Sequence, residues 1–451
     1  VRPKINAPAA FQYEEKEARD TANTEWWKQF QDPVLDSLIA EALANNKSVQ
    51  IAAANVEQAA AVLTQTRSPL YPQAGYGASG AKQRMSESQV QLPNNPRTSY
   101  ESLASTSWEI DLWGRIRRLS EAARANLLAG EEARRGVILS LVAAVSNSYI
   151  QLLALDEQLA ISRRTLDTYG ESVKLFELQF KYGQVSQMTI QQARAQYETA
   201  AAAIPQIESQ LAQTENALSV LLGKNPGPVS RGKTIRELTP PDVPSGLPSD
   251  LLMNRPDIRQ TEQELIAANA QIGAAKALYF PTISLTGAFG FSSFALSDLF
   301  KGPSKVWSYS GSIAGPIFTG GAIRGQVKQA EAARNAALLN YELAIQNAFA
   351  DVENALIARR KLVEQIEAQG RLVHASSEYV RLAQLQYDGG YAPYSTVLQA
   401  QQQLFPAELN DAQSRASMFI SLVNIYKAVG GGWVNEANRA TAIQDQAVHA
   451  E

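Results

Sequence analysis

The sequence predicts an α+β fold built twice over from one repeated unit, with two strands and one very long helix in each copy. Three observations predict it. Residues 114–223 align with residues 321–430 at a constant offset of 207 and without a gap, so that Gly114, Ile116 and Arg117 fall on Gly321, Ile323 and Arg324, and Gly183, Gln192 and Ala193 on Gly390, Gln399 and Ala400. The stretches Arg115 to Phe180 and Ala322 to Tyr387 contain no proline. Three short segments alternate apolar with small polar residues, and a fourth, 73–83, does so less cleanly. Self-similarity on this scale makes the repeat the unit of architecture.

Upstream the register shifts to 209: Leu43 and Asn45 fall on Leu252 and Asn254, and Tyr71-Pro72 on Phe280-Pro281. The 451 residues then divide into an N-terminal segment (1–32), a first repeat (33–223), a Pro/Gly-rich linker (224–248), a second repeat (249–430) and a tail (431–451). Lys and Arg total 41 against 44 Asp and Glu, a net charge of −3, so no basic face for nucleic acid is expected. With no cysteine, disulfides and thiolate metal sites are excluded. No run of 18 apolar residues occurs, so no transmembrane helix is predicted. The chain opens at Val1-Arg2-Pro3 without a signal peptide and reads as one whose leader has been removed.

Each copy reads helix, strand, strand, long helix, return helix. The first helix is expected over Pro33 to Ser68 and, in copy two, over Ser249 to Leu278, where Pro256 breaks or restarts it. Strands are expected over 73–83, 100–112, 282–291 and 307–314. In the third, Ile283, Leu285, Phe289 and Phe291 share one face and Thr282, Ser284 and Thr286 the other; in the fourth, Trp307, Tyr309 and Ile313 oppose Ser308, Ser310 and Ser312. Ten-residue strands of this kind fit a transmembrane β-barrel whose lipid face carries Trp108, Phe289, Phe291, Trp307 and Tyr309. A half-buried sheet on a water-soluble core gives the same alternation. Four strands cannot close around a lumen, so a spanning sheet needs several chains.

The long helix of about 66 residues spans about 100 Å. Positions 141, 145, 148, 152, 155, 159, 162, 166, 169, 173, 176 and 180 alternate steps of four and three and are apolar except Ser148 and Ser162. That heptad seam calls for a coiled-coil partner. The return helix, Ser186 to Leu222, carries matching spacing and is half as long. Two short helices end to end therefore cover one long one, giving a rod with strands at one end. The copy-two seam holds Val352, Leu362 and Val373 but is interrupted at Arg359, Gln369 and Ser376, which makes that half the expected mobile one. Pro205 and Pro406 should kink the return helices.

Gly227 to Thr234 satisfies the phosphate-loop spacing GxxxxGKT, but it follows a coiled-coil helix and runs into Pro240-Pro241, so no helix start is there to bind phosphate. His374 and His449 lie in separate regions and make no metal site. The four methionines argue against a dedicated copper duct, and no nucleophile–base pair is recognisable. No catalytic residue and no cofactor is expected.

Trp108-Glu109-Ile110-Asp111-Leu112-Trp113-Gly114-Arg115, Gly246 to Leu252, Arg255-Pro256-Asp257-Ile258, Tyr279-Phe280-Pro281, Pro316-Ile317-Phe318 and Tyr426 to Trp433 together resemble the TolC-type outer-membrane factors, in the lipoprotein branch that serves drug-efflux pumps. The resemblance covers essentially the whole chain. It implies a trimeric outer-membrane β-barrel with four strands per chain, continued by a long periplasmic α-helical coiled-coil barrel, with an equatorial collar around the chain ends and the linker. It implies a homotrimer in contact with outer-membrane lipid, a periplasmic adaptor, an inner-membrane RND transporter, and passive export of drugs. Arg2-Pro3 matches the family's start just after a lipidated cysteine, so lipid anchoring is implied too.

Family members narrow the periplasmic entrance with a leucine and an aspartate on the second helix tip. The matching positions here are Ser395 and Gln399, so a substitute constriction would use Asp388, Tyr391 or Tyr394; the alternative is that these residues only shape a turn. Adaptor contacts map to Tyr182, Gly183, Gln184, Gly389 and Gly390. Two rivals remain: an exit duct for type I protein secretion, and a soluble coiled-coil scaffold. A duct predicts detergent-dependent trimers, a scaffold solubility without detergent.

Overall fold

The computed structural model describes residues 25–86, 88, 96–243 and 254–430. The sequence expectations for Arg2-Pro3, Gly246 to Leu252, Gly431 to Trp433, His449, the tail 431–451 and the first turn of the copy-two helix lie outside the described residues. In chain order the principal elements are α1 (Pro33–Asn45), α2 (Lys47–Arg67), β1 (Gln73–Gln83), β2 (Arg97–Ile110), α3 (Arg115–Lys181), α4 (Gln187–Leu221), α5 (Pro256–Ala277), β3 (Thr282–Ser293), β4 (Lys305–Ala314), α6 (Ala322–Asp388) and α7 (Tyr394–Val429).

The first helix is not continuous as expected. Asn46 takes an extended conformation between α1 and α2, and its Oδ1 accepts from the N–H groups of Ser48 and Val49 at 2.9 and 3.2 Å. Asparagine competes well for orphan N–H groups at a helix start, so it caps the second segment. In α5, Pro256 occupies the first helical position, where its missing N–H costs nothing. Pro205 and Pro406 lie inside the continuous helices α4 and α7.

The duplication is written in the hydrogen bonds. At the end of α3, Gly183 N donates to Phe180 O and Gln184 N to Gln179 O. At the end of α6, Gly390 N donates to Tyr387 O and Tyr391 N to Gln386 O, the same two bonds 207 residues on. Both glycines are left-handed, φ 73° and 76°, the form that closes a helix with such a bond pair.

The described residues form two compact units. The first comprises those within Val1–Ala53, Ala133–Arg259 and Ala344–Glu451. Its core gathers Trp26, Phe30, Ile39, Val145, Tyr149, Leu152 and Tyr426, all essentially fully buried. Trp26 stacks on Tyr426 at 5.1 Å. Buried Asp32 caps α1 by accepting from Val34 N at 2.9 Å. The same carboxylate accepts from Tyr149 Oη at 2.7 Å and from Lys233 N at 3.1 Å, while Gly232 N donates to Tyr149 Oη. The phosphate-loop-like segment therefore cradles a carboxylate of the protein itself. The motif is a match of spacing alone.

On α3, Leu141, Val145, Leu152, Leu155, Ser162, Tyr169 and Phe176 of the heptad seam are buried. Ser162 sits there because its hydroxyl donates to Gln158 O, 2.8 Å away. Phe180, the last residue of the expected seam, is instead 46% exposed, since α3 ends one residue later. In copy two, Gln369 interrupts the seam by donating to Ala407 O at 2.9 Å. An 18-residue window of α3 does reach a mean hydropathy of 1.8, contrary to the expectation from unbroken apolar runs. Two thirds of that window is buried, the condition of a core helix.

The second unit comprises those within Ala54–Glu132 and Gln260–Leu343. It holds one antiparallel sheet in the order β1-β2-β3-β4, so strands from both repeats pair directly across β2 and β3. The turn from β2 into α3 explains the Trp108 to Arg115 motif. Trp108 Nε1 donates to Leu70 O at 3.0 Å, and Trp113 Nε1 to Pro281 O at 2.7 Å. Trp113 also stacks on Phe280 at 4.6 Å. Asp111 accepts from the N–H groups of Ile116 and Arg117, capping α3, and Arg115 forks onto Glu109.

Two left-handed glycines separate conformation from crowding. A Cβ at Gly183 would stand in open space, whereas one at Gly223 (φ 74°) would drive into the carbonyl of Asn45. Gly183→Ala should cost about 1–2 kcal/mol, and Gly223→Ala at least about 2 kcal/mol more. Thermal unfolding in detergent followed by circular dichroism checks the order; equal losses would contradict the crowding.

Candidate membrane-facing sheet and helix-tip surfaces

The strand register decides what each face of the sheet carries. Directly paired residues in an antiparallel sheet lie on the same face. The ladder Ala104–Phe289–Trp307 is one such row, Thr106–Gly287–Tyr309 another, and Ile110–Ile283–Ile313 a third. Trp108 pairs with Leu285, and Ser102 with Phe291. Tyr76 pairs with Ala104. One face therefore collects Tyr76, Trp108, Ile110, Ile283, Leu285, Phe289, Phe291, Trp307, Tyr309 and Ile313. The opposite face holds Gly75, Ser79, Ser105, Ser107, Ser284, Thr286, Ser308, Ser310 and Ser312, with Thr286 Oγ1 and Ser310 Oγ at 2.7 Å.

The apolar face is open. Tyr76 is 95% exposed, Tyr309 81%, Ile313 73% and Trp307 68%. Trp307 and Tyr309 stack at 5.8 Å, with their rings near parallel. An aromatic patch of this extent with nothing over it marks a surface meant for lipid or a partner. Of the lipid-face candidates, Trp108 and Phe291 are half-buried and Phe289 half exposed; all five occupy this face. The alternation is legible strand by strand. That the four strands agree on one face is not, because register between strands follows from pairing and not from composition.

The helix tips lie in the other unit. Phe176, Ile190, Ala193, Ala383, Val397, Leu398 and Ala400 pack there around Tyr394. The Tyr394 ring lies 4.1 Å from Phe176 and 5.2 Å from Tyr387, and burial raises the phenol's pKa. Tyr394 is thus a core residue of the tip. The adjoining candidates point outward. Tyr391 is 89% exposed, Ser395 and Gln399 are exposed one helical turn apart, and Asp388 accepts from Gln384 Nε2 at 2.9 Å. On the first tip Tyr182, Gly183 and Gln184 are exposed, as are Gly389 and Gly390 on the second.

Sequence reasoning gave Arg255 no role beyond its motif. It is buried and donates to Asp257, to Asp351 of α6 at 2.9 Å and to Ala428 O of α7 at 3.0 Å. It lines a cavity of about 440 Å³ together with Asp257, Asp351 and Lys427. These charges hold three helices together, and no nucleophile–base pair stands among them.

A sheet with one open apolar face and one small-polar face, continued by long helices with solvent-facing tips, fits a membrane channel. The chain belongs to the outer membrane efflux protein family, whose profile matches residues 38–224 and 247–431. It is 37% identical over 428 residues to the toluene efflux pump outer membrane protein TtgF of Pseudomonas putida, covering 94% of this chain and 88% of that one. It is 36% identical to the probable outer membrane lipoprotein SilC of Salmonella typhimurium, covering 96% of this chain and 94% of SilC. Its structure superposes on the open state of the Neisseria gonorrhoeae MtrE outer membrane channel with a TM-score of 0.87 at 33% identity, covering 96% of this chain and 97% of that one. The protein is accordingly an exit duct of the bacterial outer membrane.

Trp307→Lys should lower membrane insertion by up to about 1 kcal/mol, the cost of a charge near the edge of an apolar band. Ser308→Lys, next in sequence on the other face, should insert normally; flotation of refolded protein with vesicles measures both. In the helical unit, Tyr169 Oη donates to Gln401 O at 3.2 Å, and burial pushes its pKa up to about 12 from 10.0. A raised tyrosine pKa contributes stability that is full below the unfolded value near 10 and lost as pH rises through about 12. Thermal melts should therefore fall across that window, and less so in Tyr169→Phe.

Proposed function

We propose that three copies of this chain close into one duct, with twelve strands in the outer membrane and the helix tips toward the periplasm. The observation that carries this reading is the pairing of an open aromatic face with a serine, threonine and glycine face on a sheet whose outer strands, β1 and β4, have no further strand partner among the described residues. Four strands are too few to enclose a channel, and an open edge in hydrocarbon leaves backbone groups unsatisfied. Edge-to-edge pairing of β4 with β1 of the next copy removes both faults. Trp108, Phe289, Phe291, Trp307 and Tyr309 then face lipid, and the small polar face lines the passage.

The tips engage a periplasmic adaptor through Tyr182, Gly183, Gln184, Gly389 and Gly390, and through it an inner-membrane RND transporter. Asp388, Tyr391, Ser395 and Gln399 narrow the resting entrance. The second hairpin, with its interrupted seam, is the half that moves. The relative SilC is named an outer membrane lipoprotein, and a lipid anchor belongs to this reading. Relatives are named for toluene and antibiotic efflux, and a lining without aromatic clamps suits passive passage of such compounds.

Light scattering in detergent should give the mass of three chains; a monomer would overturn the assembly. Proteoliposomes carrying Tyr391→Ala should leak a small hydrophilic dye several-fold faster than wild type, with Tyr182→Ala unchanged. Equal leakage from all three would remove Tyr391 from the gate.

A further inference from the structure

The apolar face of the sheet carries charge in two places only. Following the register through all four strands, every residue on that face is apolar, glycine, serine, threonine or tyrosine except Lys82 of β1 and Lys305 of β4. Both stand at the end of the sheet away from the helices. Lys82 pairs with Thr98 at the start of β2, and Lys305 with Phe291 near the end of β3. The other end of the same face, at Ile110, Ile283 and Ile313, has no charge.

The surroundings match a membrane boundary. Lys305 Nζ lies 5.1 Å from the Phe289 ring centre, so its stem runs back along the aromatic face. Trp307 and Tyr309 follow it along the same face of the strand, an aromatic pair of the kind found at interfacial girdles. The connection from β3 to β4 adds Phe294 and Phe300, 60% and 71% exposed, with Arg97 stacked 3.3 Å above Phe294 and Phe300 edge-on to Phe291. Its acid, Asp298, is taken by Lys301 at 2.5 Å.

Lys82 and Lys305 lie on opposite edge strands, so within one chain the whole width of the sheet separates them. If the sheets close β4 to β1, as the trimeric reading above requires, the distal end of one chain's β4 meets the distal end of the next chain's β1, at a spacing of about 4.8 Å between strands. We propose that each of the three seams carries a two-lysine site, Lys305 from one copy and Lys82 from its neighbour, which binds the phosphate of an anionic lipid headgroup in the distal leaflet. Neither copy holds the site alone. Ammonium groups on the rim of an apolar band have phosphate as their natural partner, and the adjoining rings pack against the lipid's acyl region. The site rests on the trimeric duct reading and adds to it a lipid that fastens the seams.

The test uses full-length trimers in a neutral detergent, with phosphatidic acid as the probe and phosphatidylcholine and inorganic phosphate as comparisons. Native mass spectrometry reads lipid occupancy, and bilayer conductance of the same preparations reads assembly. Phosphatidic acid should bind with up to three retained lipids per trimer. Lys82→Gln and Lys305→Gln should each weaken that binding roughly fivefold, while Lys276→Gln, on a helix of the same unit, leaves it unchanged. Trimers that conduct normally but bind phosphatidic acid equally in the wild type and in both lysine variants overturn the site alone. Displacement of the lipid by inorganic phosphate at similar concentration overturns the lipid assignment. Wild type that forms no conducting trimer overturns the duct reading on which the site stands.

Discussion

The constraint on which the molecule turns is the satisfaction of backbone hydrogen bonds at the edges of a four-stranded sheet. β1 and β4 each pair on one side only among the described residues. In water such edges are tolerable, but beneath an aromatic face directed at hydrocarbon they are not. The chain therefore reads as one part of a closed object. In the proposed trimer the aromatic rows face lipid and the serine and threonine rows face water.

The repeat supplies economy rather than identity. Both long helices end in the same bond pair, 207 residues apart, at Gly183 and Gly390. The copies diverge in the tyrosines that surround these glycines. On the first, Tyr182 stands out from the tip into solvent. On the second, Tyr394 and Tyr387 pack into the tip core, and Tyr391 alone of that tyrosine group projects into solvent. Buried polar groups in the helical unit follow one logic. Asp32 and Arg255 are each surrounded by partners from distant parts of the sequence and lock together segments far apart in the chain.

Much of this is legible in the chain. Freedom from proline marks the long helices, and the heptad seam marks which side of α3 is buried. Period-two alternation marks the strands. Three things are not legible, for physical reasons. Asn46 interrupts the first helix because a side-chain cap competes with the backbone, an effect that hydrophobic periodicity does not register. Tyr394 is indistinguishable in sequence from the neighbouring Tyr391, since burial at a helix tip depends on what the opposite hairpin brings. The agreement of all four strands on one face depends on register, which no single strand specifies. The phosphate-loop spacing, which its sequence context already argued against, is a motif whose N–H groups serve an internal carboxylate and the tyrosine bound to it.

The most direct test of the duct is single-channel current from the purified, unmodified protein in a planar bilayer. Discrete, small steps separated by long closed periods are the expected result, from a closed barrel with a resting constriction at its tips. Absence of insertion and current, together with a particle that stays soluble without detergent, would contradict the account and make the aromatic face a site for protein contacts.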